Sequence, residues 1–236
     1  SRFARRFAAC GLRPTAMTPV YGLAEASVGL LFPPLGRGLR VDTVVREVFE
    51  AQRRAVPGQA PSDLRFVACG RALPGHEVRI VDETGALVPE RVEGRLEFRG
   101  PSATSGYWRA PELTARLFTD EEGRWLDTGD KAYRAEGDVF VTGRVKDIVI
   151  RGGRNLYPQE IEEAVGEVAG VRKGCVAVFG RRDEKSGTER LVVMAETKAP
   201  NGRDAASVRE AVAQSVISAI GEPADEILLV PPHTVL

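Results

Sequence analysis

The sequence predicts a mixed protein in two parts: an α/β part over 1–145 that finishes in a small antiparallel β-barrel or sheet, and a small α+β unit over 146–236. Three observations lead there. From Phe66 to Val141 apolar and polar residues alternate, the period of strands with one buried face. After Lys146 two helical stretches are interleaved with three apolar strands, the makings of a compact α+β unit. Between them a short basic turn, Arg144 to Lys146, interrupts the apolar runs and marks the boundary.

Taken in order, Phe3, Phe7 and Leu12 sit at helical spacing, and Arg13-Pro14 ends that helix. Thr15–Val20 reads as a short buried strand. Residues 33–63, rich in Pro, Gly and Arg, read as a long surface insertion with one helix near Val44–Arg53. His76–Asp82, Gly94–Gly100 and Asp138–Thr142 alternate as strands, separated by turn signals such as Glu83–Gly85 and Glu121–Gly123. Pro111, suited to a first helical position, opens a helix to Phe118. Beyond Lys146 the expected order is helix Pro158–Val168, strands Cys175–Phe179 and Arg190–Thr197, helix Asp204–Ile220 and strand Glu226–Val230. Val208, Val212 and Val216, beside Ala211 and Ala219, give the last helix one buried stripe.

The bulk properties narrow the function. Thirty-three basic residues balance thirty-three acidic ones, so nothing attracts nucleic acid or an anionic membrane non-specifically. No apolar run approaches the roughly 20 residues needed to span a bilayer. Cys10, Cys69 and Cys175 are odd in number and far apart, which fits a reducing compartment, and a cytoplasmic location is expected. Two distant histidines, His76 and His233, argue against a histidine metal centre. The chain starts at Ser1 in mid-element and stops on an apolar run, as a piece of a longer protein would; a signal peptide upstream would not be visible.

The chemistry concentrates in two turns. Asp127-Thr-Gly-Asp130 precedes the run Val139–Val141, and Arg144 and Lys146 follow it. A carboxylate for hydroxyls and a cation for phosphate are what a nucleotide requires. On this local evidence alone, a plain pair of charged surface turns weighs equally.

Order along the chain adds to that. Tyr21-Gly-Leu-Ala-Glu25, Gly94–Gly100 running into Ser105–Thr114, Trp125–Asp130 and Gly143–Gly153 follow one another as in the adenylate-forming superfamily of acyl-CoA synthetases, nonribosomal adenylation domains and luciferase, which the chain resembles from about residue 18 to its end. Within it the chain looks most similar to fatty acyl-AMP ligases. Ala24 stands where most relatives have threonine, Gly153-Arg-Asn-Leu-Tyr-Pro-Gln-Glu-Ile-Glu162 opens the last unit, and the segment between Glu25 and Val67–Gly75 is long.

The resemblance implies that 1–145 is the end of the large AMP-binding domain with its β-barrel, and 146–236 the small mobile domain. It places Tyr21, Gly22 and Ala24 at the nucleotide, with Tyr21 and Gly22 lining the adenine pocket. It gives Glu25 to Mg²⁺ on the triphosphate, Asp130 to the ribose hydroxyls, Arg144 to the ribose or phosphate side, and Lys146 to the hinge. The implied reaction joins a fatty or other carboxylic acid to ATP, giving acyl-AMP, with an acyl carrier protein or CoA as acceptor. The family's glycine-rich phosphate loop is expected upstream of Ser1, and its adenylation lysine beyond Leu236. The 236 residues alone are therefore expected to be inactive. A non-catalytic adenylate-binding or interaction module is the alternative of another class. Tyr107-Trp108 and Cys175 read as packing residues.

Overall fold

The alternation between Phe66 and Val141 becomes an antiparallel sheet. In this computed structural model, which describes residues 2–120, 124–182, 189–198, 200 and 203–235, the chain divides into two compact units, Ser1–Val145 and Lys146–Leu236. The turn expected at Glu121–Gly123 lies outside the described residues.

The first unit opens with helix α1 (Arg2–Phe7) and a 3-10 turn, Ala8–Cys10, stopped by Gly11 at φ +82°. Its strands are β1 (Leu31–Phe32), β2 (Val41–Val44), β3 (Leu64–Ala72), β4 (Glu77–Val81), β5 (Gly94–Arg99), β6 (Leu126–Ala135) and β7 (Asp138–Arg144). Helix α2 (Arg46–Gln52) follows β2, and α3 (Pro111–Leu117) lies between β5 and β6. The sheet runs β1-β3-β7-β6-β5-β4, with β2 also paired to β3. It is open: β1 is two residues long and pairs with β3, and no described ladder joins it to β4 at the far edge. The expected barrel is therefore a sheet. Leu30, Leu31, Ile80, Leu96, Phe98, Leu126 and Val139 form one core over it.

Two expectations change here. Thr15–Val20 is not a buried strand: Pro14–Ala16 is a 3-10 turn, Val20 is half exposed, and the segment has no ladder partner among the described residues. Pro19 removes one of its donors. Residues 33–63 are not a mere surface insertion either. The segment adds β2 to the sheet at Val41↔Val67 through Val44↔Leu64, and α2 buries Phe49 completely. Phe49 packs on Phe66 and Tyr133, 5.1 and 5.9 Å between ring centroids, and Tyr133 stacks on Phe140 at 5.0 Å. Burying one such ring contributes about 1.5–3 kcal/mol. Arg37 and Arg40 pin the same segment to the buried Asp138 at 2.7 and 2.8 Å.

The second unit contains a hairpin, β8 (Val149–Arg151) and β9 (Arg154–Leu156), then α4 (Pro158–Gly166), β10 (Val171–Arg182), β11 (Glu189–Thr197), α5 (Arg203–Ile220) and β12 (Glu226–Val230). β10 and β11 are antiparallel; β11 and β12 are parallel and joined through α5. Ile161 and Val165 of α4, Val212, Val216 and Ile220 of α5, and Leu191, Val193 and Ala195 of β11 close a single core. The period of two in β11 and four in α5 is what carries these residues to one face. No helix of the described residues is long and apolar enough to cross a membrane.

Candidate functional site

Asp130 owes its position to an irregular ladder. The β5–β6 register steps from Arg95↔Lys131 to Glu97↔Asp127, so Thr128, Gly129 and Asp130 fill a space where β5 has only Leu96. Gly129 takes φ +73°, a conformation that costs other residues a steric penalty. Side chains then hold the bulge: Asp127 Oδ1 accepts the Gly129 N–H at 2.8 Å, and Thr128 Oγ1 accepts the Asp130 N–H at 3.1 Å while donating to the Leu96 carbonyl at 2.8 Å. The Val145 N–H reaches the Gly129 carbonyl at 2.9 Å and fixes the end of β7 against the bulge.

Three expected site residues converge there. The Tyr21 hydroxyl, 109 positions away in sequence, donates to Asp130 Oδ2 at 2.5 Å. Arg144, the register partner of Asp130 across the β6–β7 ladder, brings Nε to 3.5 Å from Oδ1. Asp130 is buried, while more than half of the Arg144 side chain is exposed. The ion pair is thus a surface one worth up to about 1 kcal/mol, and most of Arg144's charge still faces outward. Burial, and then the hydrogen bond to Asp130, push the Tyr21 hydroxyl's pKa well above its ordinary value, so it stays a donor. A carboxylate can accept about four hydrogen bonds, so holding the Tyr21 proton does not by itself exclude ligand hydroxyls.

Gly22, Ala24 and Glu25 lie on the turn after Tyr21. A Cβ on Gly22 would fall 1.5 Å from the Val28 carbonyl oxygen, so the turn closes on the glycine itself. That backbone contact by itself requires a glycine at 22. Ala24 starts a 3-10 turn and is exposed, its carbonyl accepting the Ser27 N–H at 3.1 Å. Ser27 and Val28 then take φ +51° and +78°; for a β-branched residue such as Val28 that backbone is strained.

Glu25 makes a second tyrosine–carboxylate pair, with Tyr107 Oη donating to Oε1 at 2.5 Å. Tyr107 and Trp108 are 41% and 87% exposed, so they are not the packing residues the sequence suggested. The hydrogen bond to Glu25, with a smaller contribution from burial, raises the Tyr107 hydroxyl's pKa. Among the described residues no three His, Cys, Asp or Glu side chains gather as a metal site. One carboxylate nevertheless fits Mg²⁺ delivered on a nucleotide, since that ion takes one or two protein carboxylates and fills its shell with phosphates and water.

Lys146, the first residue of the second unit, is exposed in the turn after β7 and joins neither pair in the described contacts. A cavity of about 390 Å³ between Arg79, Ile80, Val88, Trp125 and Arg134 is not lined by Tyr21, Asp130 or Arg144. The guanidinium carbons of Arg79 and Arg99 lie 4.2 and 4.7 Å from the ring centroid of its Trp125.

Residues 1–108 match the family of AMP-binding enzymes. Over 214 residues the chain is 37% identical to a Caulobacter vibrioides protein provisionally named an acyl-CoA synthetase, covering 89% of this chain and 37% of that protein. The chain belongs to the AMP-binding, adenylate-forming family. The chain is also 36% identical over 210 residues to a long-chain-fatty-acid–AMP ligase of Mycobacterium tuberculosis, covering 84% of itself and 35% of that ligase. A structure from work on fatty acyl-adenylate ligases of E. coli and L. pneumophila superposes with a TM-score of 0.88 at 32% identity, over 99% of this chain and 41% of the other. The chain therefore spans well under half the length of these relatives.

Proposed function

We propose that the full-length protein carrying these residues activates a fatty acid with ATP and passes the acyl group to a thiol. A carboxylate oxygen of the acid attacks the α-phosphorus; the bond to the β-phosphate oxygen breaks and pyrophosphate leaves, so the step needs no protein nucleophile. The work left to the protein is positioning and charge neutralisation. Asp130 accepts the ribose hydroxyls, each such bond worth about 1.5–3 kcal/mol. Tyr21 steadies that carboxylate and presents its ring to the base. Arg144 faces the ribose–phosphate side. Glu25 would hold Mg²⁺, which would neutralise charge on the triphosphate. The convergence of Tyr21, Asp130 and Arg144 from three distant segments is the observation that supports this reading.

The test is fatty-acid-dependent ATP–pyrophosphate exchange. Asp130→Ala in the full-length protein is expected to lower exchange at subsaturating ATP by about ten-fold or more, equal to 1.4 kcal/mol or more. Exchange equal to wild type would remove the ribose assignment. No exchange by the wild type with any fatty acid would favour a non-catalytic module.

For the acceptor we infer an acyl carrier protein, in line with the fatty-acid–AMP ligase relative; the relative named as an acyl-CoA synthetase supports free CoA as the second reading. Accumulation of acyl-AMP in the presence of CoA, with transfer on adding a phosphopantetheinylated carrier, is the expected result; rapid acyl-CoA formation would reverse the choice. Deleting part of 36–63 is a poor test, because it removes β2 and Phe49 from the fold. Lys146 is read as the pivot between the two half-reactions. Fixing its φ with Lys146→Pro should slow one more than the other, and equal loss of both would argue against it.

A further inference from the structure

The loop from Ser102 to Tyr107 is built around the Glu25 turn. The Thr104 N–H donates to the Glu25 carbonyl at 2.8 Å, Ser102 Oγ donates to the Ala26 carbonyl at 3.1 Å, and Ser27 Oγ donates to the Ser102 carbonyl at 3.3 Å. At its far end the Tyr107 N–H donates to Thr114 Oγ1 of α3 at 2.8 Å. Gly106, at φ +139°, lets that approach happen: a Cβ there would lie 2.4 Å from the Thr114 methyl carbon. The product of these contacts is a phenol hydroxyl 2.5 Å from Glu25 Oε1, on a residue that is itself 41% exposed. A tyrosine kept for packing is buried; here the residue is exposed and the hydroxyl is the engaged part.

We propose that Tyr107 is a positioning residue for Glu25: its hydroxyl occupies Oε1 and fixes the side-chain rotamer, so that Oε2 is the oxygen presented to the divalent cation on the nucleotide. This rests on the assignment of Glu25 to Mg²⁺ made above. A ligand carboxylate without such a partner samples several rotamers and must be ordered when the ion arrives, and losing an outer partner of a metal ligand weakens the site. The hydroxyl is neutral, so it orders Glu25 without cancelling the charge the cation needs.

The experiment uses the full-length protein with Tyr107→Phe, Glu25→Gln and the double variant. Two quantities are read: the affinity for Mn²⁺–ATP, from the free Mn²⁺ signal in electron paramagnetic resonance, and the Mg²⁺ concentration giving half-maximal exchange. Tyr107→Phe is expected to weaken Mn²⁺–ATP binding and raise the half-saturating Mg²⁺ by about ten-fold, with the rate at saturating Mg²⁺ and the melting temperature unchanged. In the double variant the Tyr107 change should add nothing to Glu25→Gln. A shift in Glu25→Gln with none in Tyr107→Phe overturns the positioning role and leaves the Glu25 assignment standing. No shift in Glu25→Gln sinks that assignment, and the inference with it. A Tyr107→Phe protein that loses activity equally at every Mg²⁺ concentration, or melts earlier, has lost a structural hydroxyl and overturns the proposal.

Discussion

Among the described residues of the first unit, two tyrosine hydroxyls sit 2.5 Å from a carboxylate, in two different environments. Tyr21–Asp130 sits on an interior strand of the sheet: Asp130 is buried on β6 between β5 and β7, its backbone is held by a bulge, and burial is the leading cause of the shift in the Tyr21 hydroxyl. Tyr107–Glu25 lies between two surface loops, and there the hydrogen bond itself is the leading cause. Removing a partner from a buried pair strands a desolvated group; removing one from an exposed pair lets water take its place. The first pair should therefore govern stability as well as ligand contact, and the second ligand contact alone.

The strongest way to break this contrast is to move the turn that carries one member of each pair, Tyr21 and Glu25. Gly22→Ala must displace the Val28 carbonyl, and it is expected to destabilise the protein by at least about 3 kcal/mol, read as a lower urea midpoint in the unfolding transition of the first unit. An unchanged midpoint would mean that the turn opens easily and that neither pair depends on it. Next, Asp130→Ala should cost about 1–3 kcal/mol in the same measurement, whereas Glu25→Ala should stay within about 0.5 kcal/mol. Equal costs would end the distinction between the two environments.

The pH dependence sharpens it further. The folded state raises the Tyr21 pKa, so its contribution is fully present below the ordinary tyrosine value of about 10 and is lost as pH climbs beyond it. Tyr21→Phe should lower stability between pH 7 and 9 by about 1 kcal/mol and make its further fall above pH 10 shallower. Tyr133, also raised by burial and by its bond to Asp42, leaves a residual slope in that variant. An alkaline unfolding curve of unchanged slope would show that the Tyr21 proton is not retained by folding.

How far these features were legible depends on how local their causes are. Alternation located strands β4, β5 and β7, and the spacing of Val208, Val212 and Val216 located α5, because a period is written within a few residues. A helix within 44–53 was expected as well. Strand β2 was not: Val41–Val44 is a strand because β3 lies beside it, and a Pro- and Gly-rich context hid it. Thr15–Val20 failed in the opposite direction, apolar enough for a strand yet without a neighbour among the described residues.

The site divides along the same line. The sequence by itself determined that Asp130 and Arg144 flank one short run, that a glycine stands next to Asp130 at 129, and that Glu25 follows Tyr21 by four positions. Only the tertiary structure decided that the Tyr21 hydroxyl serves Asp130 across 109 positions, and that Tyr107, read from sequence as packing, serves Glu25 across 82. It decided also that the sheet stays open and that 33–63 belongs to its core. Turn chemistry is set by a residue and its immediate neighbours; a hydrogen bond between distant segments is set by every ladder and core contact that brings them together.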